Sequence, residues 1–332
     1  MSEYRRFTRL ITSSPLIART TVEEVHATEL ELQVVGDPGR FRLHLRGVEG
    51  VAVSSALVLT RGDVDLASSP WRTSYLLVHV LGGDCWIERD GEQVLVAAGG
   101  VTISAPDEQL ALRLRGQGIV RIVRIQPRLM GRVFAAMAGF LPARPIRFDS
   151  ATTRDGDFLD VWAREVEHLL KTLEDGTQAC DIKVLHHVEM AFVEALLRYP
   201  CHEFHHRIRS DALPPLREVS PNALAAADFV AVLIRAEPWR EISMAHYARM
   251  ANLTANELGN AFRWQLGMAP AQYRRVVQLD CVHEDLRRAD LEWASIAEIA
   301  RRWRLPSSSR FHRWYHDRFG EWPSQTRWWA RR

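Results

Sequence analysis

Two stretches of this chain carry the same instruction for starting a helix after a tight turn. "ISMAHYARMANLTANELGNAFRWQLGMAPAQY" (242–273) contains Thr254-x-x-Glu257, and "SIAEIARRWRLPSSSRFHRWYHDRFGEWPSQ" (295–325) opens with Ser295-x-x-Glu298. In such a box each side chain satisfies an otherwise unpaired backbone N–H of the other residue, which fixes where a helix begins. In the first stretch a helix is expected from about Ser243 to Ala251. Asn252 can then take the left-handed turn conformation, and a second helix starts at Thr254. Helix, tight turn and capped helix form a helix-turn-helix. The second stretch repeats the plan: Ile296, Ile299, Ala300 and Trp303 make an apolar stripe, and "RLPSS" leads into another helix. Between them "AQYRRVVQLDCVHEDLRRA" (271–289) reads as one continuous helix. A rigid connector fixes the separation of the two motifs, and recognition helices about 34 Å apart enter consecutive major-groove segments of a duplex.

"RFHRWYHDRFGEWP" (310–323) shows what the last of these helices is for. It interleaves two Trp, two Phe and a Tyr with five Arg and His. On a helical wheel Phe311, Trp314, Tyr315 and Phe319 share one arc with the stem of Arg318. Ser309, Arg310, Arg313 and His316 occupy the opposite arc. The rings face a small helical core and the cations face a polyanion, and an α-helix fits the DNA major groove.

Charge supports that partner. From Leu213 to Arg332 there are 18 Arg, no Lys and 13 Asp or Glu, a balance of +5, while the whole chain carries +2. The remainder is therefore −3, so the basic part is the C-terminal part. No run approaches the roughly 20 apolar residues of a membrane span. "MSEYRRFTRLITSSP" lacks an apolar signal core, which leads to the expectation of a cytoplasmic protein. Cys85, Cys180, Cys201 and Cys281 lie far apart without C-x-x-C, as suits reduced thiols.

The N-terminal part has a different period. In "RFRLHLRG", Phe41, Leu43 and Leu45 alternate with Arg42, His44 and Arg46, the pattern of a half-buried strand. "CWIERDGEQVLV" places Asp90-Gly91 between two strand-like runs, a hairpin signal. "VRIVRI" (120–125) is another strand, and Gly pairs at 82–83 and 99–100 punctuate a small barrel or jelly roll over residues 30–127. From Pro127 the pattern turns helical. Stripes follow at Trp162, Val166, Leu169, Leu170 and Leu173, and at Leu185, Val188, Phe192, Leu196 and Tyr199. The expected organisation is a β domain over 1–150, a helical dimerisation region and linker over 151–212, and a helical DNA-binding domain over 213–332. "SDALPPLREVSPN" (210–222) is the linker segment.

The C-terminal residues resemble the AraC/XylS family of bacterial transcription regulators over about 223–328. The resemblance rests on A-x-x-A-N-L-T at 248–254, on Phe262, Gly267, Pro270 and Tyr273 in the first motif, and on Tyr315, Phe319, Gly320 and Pro323 in the second. "ERDGEQVLVAAGGVTISAPDEQ" (88–109) is similar to the cupin-like sensor domain of such regulators. The resemblance implies an α+β chain: an N-terminal cupin-like β-barrel with flanking helices, then an all-α double helix-turn-helix. It departs at the second turn, where Arg304-Leu305 and Pro306 replace the usual Gly-Phe, and at "TRWWARR", where Tyr is usual.

By the same resemblance the DNA-binding candidates are Asn256, Asn260 and Arg263 in the first motif, and Ser308, Ser309, Arg310, His312 and Arg313 in the second. Gly259 falls on a base-contact position without a side chain. An Asn amide matches adenine N6 and N7, so the first motif is expected to read adenine. The implied partners are double-stranded operator DNA, a small-molecule effector, RNA polymerase and a second copy in a homodimer. No cofactor and no catalytic residue is implied, and the sequence leaves activation and repression open.

Trp71, Tyr75, His79 and Trp86 mix rings with a polar group and are the candidates for an effector cavity. Core packing is the competing reading for each. His202-Glu203-x-x-His206 has zinc-protease spacing, yet Pro200 precedes it and no third ligand stands out, which favours a solvated linker. A cupin-type metalloenzyme with an accessory DNA-binding tail is the alternative function. It would need a metal set, and His44 and His79 stand alone on their strands. A barrel that serves only assembly is a third reading.

Overall fold

The computed structural model describes residues 7–25, 30–68, 73–149, 182–198, 202–208, 219–240, 243–288 and 294–330. The chain forms two compact units. One comprises Met1–Met130 and Pro145–His206, the other Gly131–Arg144 and Arg207–Arg332. The second unit thus takes in Gly131–Arg144, which the sequence reading had assigned to the β domain.

The first unit is a two-sheet barrel. Among the described residues its strands are β1 (Phe7–Thr12), β2 (Leu30–Val35), β3 (Arg42–Glu49), β4 (Val53–Arg61), β5 (Asp63–Ser68), β6 (Tyr75–Gly82), β7 (Cys85–Arg89), β8 (Glu92–Val96), β9 (Val101–Ser104), β10 (Leu110–Leu114) and β11 (Gln117–Ile125), with helix α1 (Pro15–Val25) after β1. They pair antiparallel as β1-β3-β4-β11-β6-β9 and β2-β5-β10-β7-β8. The inward residues of both sheets, such as Leu43, Leu45, Val58, Leu66, Val78, Ile87, Leu112 and Val120, form one aliphatic core. Each such side chain contributes about 1.5–3 kcal/mol through burial. Phe41–Arg46 alternates as expected, with the arginines outward. Asp90 and Gly91 both take positive φ (48° and 85°) in the two-residue turn joining β7 and β8. Strand β1 lies in the N-terminal stretch where the sequence gave no strand signal; its Leu10 packs on the core while Ile11 is exposed.

The proposed effector residues do not converge. Along β6, Leu76, Val78 and Val80 belong to the core between the sheets, so Tyr75 and His79 lie on the opposite face. On β7, Cys85 and Ile87 face the core and Trp86 faces out, 42% exposed, opposite Leu95 of β8. Strand alternation is the reason: all three stand on odd registers relative to the core. Tyr75 instead accepts the N–H of Ile146 (2.7 Å) and meets Phe148 edge to face. His79 is buried opposite Arg121 of β11. Trp71 lies outside the described residues.

Helix α2 (Pro127–Ala138) follows β11, and α3 (Ile182–Arg198) is the described part of the expected dimerisation region. The stripe 162–173 and Tyr199 lie outside the described residues. Leu185, Phe192 and Leu196 are buried within one chain, so this stripe is spent on intramolecular packing. Glu189 explains the docking of α3: its Oε1 accepts the N–H groups of Val51 (2.8 Å), Ala52 (3.0 Å) and Val53 (3.1 Å). The segment expected as a solvated linker at 202–206 is also packed. His202 is buried, its Nε2 lies 2.9 Å from the Leu197 carbonyl, and its ring meets Phe148.

The second unit holds α4 (Pro221–Ala236), α5 (Met244–Met250), α6 (Ala255–Leu266), α7 (Pro270–Arg287), α8 (Ile296–Arg302), α9 (Ser309–Phe319) and α10 (Pro323–Ala330). It has two small cores. Val230, Ile234, Tyr247, Leu258 and Phe262 make the first, with Tyr273 and Val277 of α7 against it. Leu279, Val282 and Leu286 of α7 join Ile299, Leu305, Phe311 and Tyr315 in the second. Helix α7 therefore presents successive faces to both. Gly267 ends α6 at φ 69°, and the Arg132 carbonyl occupies the space a Cβ would take.

Two outcomes test the barrel. Glu189→Ala leaves three backbone donors without their acceptor, and thermal or denaturant unfolding should show a loss of about 3 kcal/mol or more. His79 is held down to about 4 by burial first and by the Arg121 charge second. Its folded value lies below its unfolded value, so the unfolded state binds more protons between these limits. Stability should fall as pH drops from about 6.5 toward 4, by roughly 2–3 kcal/mol from this group, and His79→Gln should flatten that part of the profile.

Candidate nucleic-acid interface

Both helix-turn-helix motifs form at the residues the capping boxes mark. In the first, the Thr254 hydroxyl accepts the N–H of Glu257 (3.2 Å) and Glu257 Oε2 accepts the N–H of Thr254 (2.8 Å). Hydrogen bonding to Thr254 lowers the Glu257 carboxyl below its ordinary range. Asn252 takes the left-handed turn, φ 53°. In the second, Ser295 and Glu298 close the same box (3.1 and 2.6 Å). Arg304 takes φ 59° there, so an arginine occupies a left-handed position that glycine adopts without strain.

The second motif is bound to α7 by directional contacts. Asp285, buried, accepts the Trp303 indole N–H (2.8 Å) and the Arg302 guanidinium (3.4 Å). Arg318 of α9 forms a two-pronged pair with Asp280 (2.5 and 2.7 Å). The Tyr315 hydroxyl lies 2.7 Å from His283 Nδ1 and 2.8 Å from Thr326 Oγ1. His283 also stacks on Phe319, with centroids 4.2 Å apart.

These supports leave most of the residues expected to contact DNA exposed. On α6, Asn256 and Arg263 are exposed and Asn260 is half-buried. Arg263 Nη1 donates to Asn260 Oδ1 (3.1 Å) and lies 3.7 Å from the Cβ position of Gly259. The guanidinium lies back along the helix beside Gly259. The amide carbonyl of Asn260 thus accepts one hydrogen bond from within the helix. On α9, Ser308, Ser309, Arg310 and Arg313 are exposed. His312 is half-buried, with Nδ1 3.1 Å from the Ser308 carbonyl and its ring edge-on to Phe311. His316, assigned to the outer arc, instead leans on Trp322 at 4.5 Å. Trp314 is only partly in the core: Arg275 of α7 lies 3.8 Å over its ring and Arg310 lies 5.9 Å from it. Arg275 was not foreseen, because the arginine pair 274–275 on a connector helix carries no motif of its own.

An AraC-binding-like domain model matches residues 18–198, and a helix-turn-helix domain model matches 247–328. The chain belongs to the AraC/XylS family. It is a DNA-binding transcription regulator with an N-terminal ligand-binding domain. Its relatives include the XylDLEGF operon transcriptional activator 1 of Pseudomonas putida, 25% identical over 270 residues, which are 80% of this chain and 78% of that protein. Regulatory protein HrpB of Ralstonia nicotianae is 30% identical over 88 residues, 26% of this chain and 18% of that one. The AraC-like transcriptional activator CuxR superposes with a TM-score of 0.40 at 12% identity, over 82% of this chain and 94% of that one. Among the described residues of this regulator no helix is long and apolar enough to cross a membrane.

The left-handed turn of the second motif gives a direct test. Arg304→Gly removes the Cβ penalty of that conformation and should raise the stability of the helical unit by about 0.5–1 kcal/mol in denaturant unfolding. Arg304→Val, which tolerates positive φ least, should lower it.

Proposed function

We propose that this AraC/XylS regulator reads operator DNA with α6 and α9 inserted in consecutive segments of the major groove, under the control of a small molecule bound by the barrel domain. The observation that carries the reading is the exposed arginines of the two helices. Arg310 and Arg313 are exposed in the first half of α9, Arg263 is exposed in the last turn of α6, and none of them pairs with a carboxylate among the described residues. Exposed guanidinium groups on a recognition helix suit guanine O6 and N7.

For the first motif this changes the expected base. Adenine recognition needs an Asn amide that offers one acceptor and one donor. With Oδ1 of Asn260 already accepting from Arg263, the groups the pair turns outward are mainly N–H donors, which suits guanine. Asn256, exposed one turn earlier, keeps both amide groups available.

The effector entrance we favour is a cavity of about 690 Å³ at one end of the barrel, bordered by Arg40, Arg42, Arg61, Asp37 and Asp63. Because the relatives are named transcriptional activators, we read the output as activation, with RNA polymerase as the further partner. A homodimer fits paired operator half-sites, but it has to form through surfaces other than the buried stripe of α3. Sedimentation of the full chain measures it, and a monomer at high micromolar concentration would rule it out.

Binding selection from a randomised operator pool tests the readout. Arg313→Ala should weaken operator binding by about 1–3 kcal/mol and relax one position of the half-site under α9. Arg263→Ala and Asn260→Ala should relax the same guanine under α6. The double variant should lose little more than either single one, because the two side chains act as one donor group. An adenine preference there that survives Arg263→Ala would refute the paired reading.

A further inference from the structure

The helical unit contains a second recess, of about 210 Å³, between the turn at 138–141, α7 and α9. Its lining includes the apolar Leu141, Met268 and Leu279 together with Arg275, Trp314 and Arg313. Two further arginines at its edge are accounted for. Arg207 forms a two-pronged pair with Asp317 (2.8 and 2.8 Å), and Arg318 pairs with Asp280. Arg275 and Arg313 have no carboxylate partner among the described residues. Arg275 is half-buried, stacked 3.8 Å from the Trp314 ring, with Arg310 on the same ring. Burial, and then the Arg310 charge, lower the Arg275 guanidinium from its ordinary value.

The geometry points to a binding site for a small oxyanion with a compact apolar body, a carboxylate seated on Arg275 and Arg313 with its hydrocarbon part against Leu141, Met268 and Leu279. Planar guanidinium groups present paired donors that match a carboxylate. A duplex phosphate meets the same cations less well, because Arg275 sits below the helix surface beside apolar side chains, whereas phosphates line the groove rims. The site is separate from the cavity at the barrel end. It borders Arg313, a reading residue in the function proposed above, so its occupant and operator DNA compete for one side chain. By linkage each weakens the other by the same factor.

The experiment uses the full chain and two probes, cyclohexanecarboxylate and inorganic phosphate, titrated by calorimetry without DNA. Binding of cyclohexanecarboxylate, weakened about tenfold or more in Arg275→Gln and less than about twofold in Arg42→Gln, is the expected result. Arg275→Lys keeps the charge but not the stacked plane and should show an intermediate loss; circular dichroism establishes that each variant is folded. Equal weakening in Arg42→Gln would move the site to the barrel end and overturn the assignment. Phosphate binding as tightly as cyclohexanecarboxylate would remove the apolar body from it. No binding of either probe, together with a salt dependence of DNA binding reduced by about one counterion in Arg275→Gln, would make Arg275 a backbone contact instead. The ligand test stands without DNA, so its outcome is independent of whether α6 and α9 read bases.

Discussion

Two carboxylates on one helix organise the DNA-binding part of this protein. Asp280 and Asp285 lie on α7, and between them they receive Arg318, Trp303 and Arg302 of the second motif. A buried carboxylate without such donors would be strongly unfavourable, so Asp285 requires Trp303 where it stands. The first motif is held to the same helix mainly by apolar contact through Tyr273 and Val277. With 18 residues, α7 is about 27 Å long, comparable to one turn of duplex. Its length and its two kinds of attachment therefore set how two recognition helices are presented together.

The turns within each motif solve one geometric problem with different residues. Asn252 reaches the left-handed region at modest cost because its short polar side chain can bond locally. Arg304 has no such help. The second turn is held from outside, by Leu305 in the core and by the Leu305 N–H bonded to the Ala300 carbonyl at 2.9 Å. Strain of this kind persists where the surrounding packing over-determines the backbone. The residue that departs from the family pattern at this turn is thus tolerated by the contacts that also fix α9.

The helical unit was legible in the sequence because its signals are local. A capping box, a turn residue and a helical stripe each involve residues a few positions apart, and Thr254–Glu257, Asn252 and the Phe311–Tyr315 arc all lie where they were read. The barrel was legible as alternating strands, but its candidate effector residues were chosen by ring character and not by register. Tyr75, His79 and Trp86 all stand on the face away from the core. Which outward positions become buried depends on tertiary cover, as the low exposure of Tyr75 and His79 shows. The same limit applies to α3, whose stripe predicts burial without saying whether the partner is another chain or this one. His202 was read as linker for a related reason: its partner Phe148 is 54 residues distant. The link between Arg263 and Asn260 is a side-chain choice between neighbours three residues apart, which no motif expresses.

The interface charge has a consequence for how binding energy is distributed. Arg275 and Arg310 share the Trp314 ring, and Arg313 lies one turn beyond Arg310 on the exposed face of α9. A ring face offsets a nearby cation by about 0.5–2 kcal/mol, depending on desolvation. It cannot cancel the mutual repulsion of guanidinium groups, which is the second reason Arg275 is lowered. Arg275 of α7 and Arg310 of α9 therefore repel one another across the Trp314 ring, and a nearby anion would relieve that repulsion. Asp317 and Asp280 do not relieve it, because each is already committed to another arginine. A polyanion bound beside these arginines would gain from relief of that repulsion. The gain would fall with salt, since added ions screen the exposed arginines from one another as well as from phosphate.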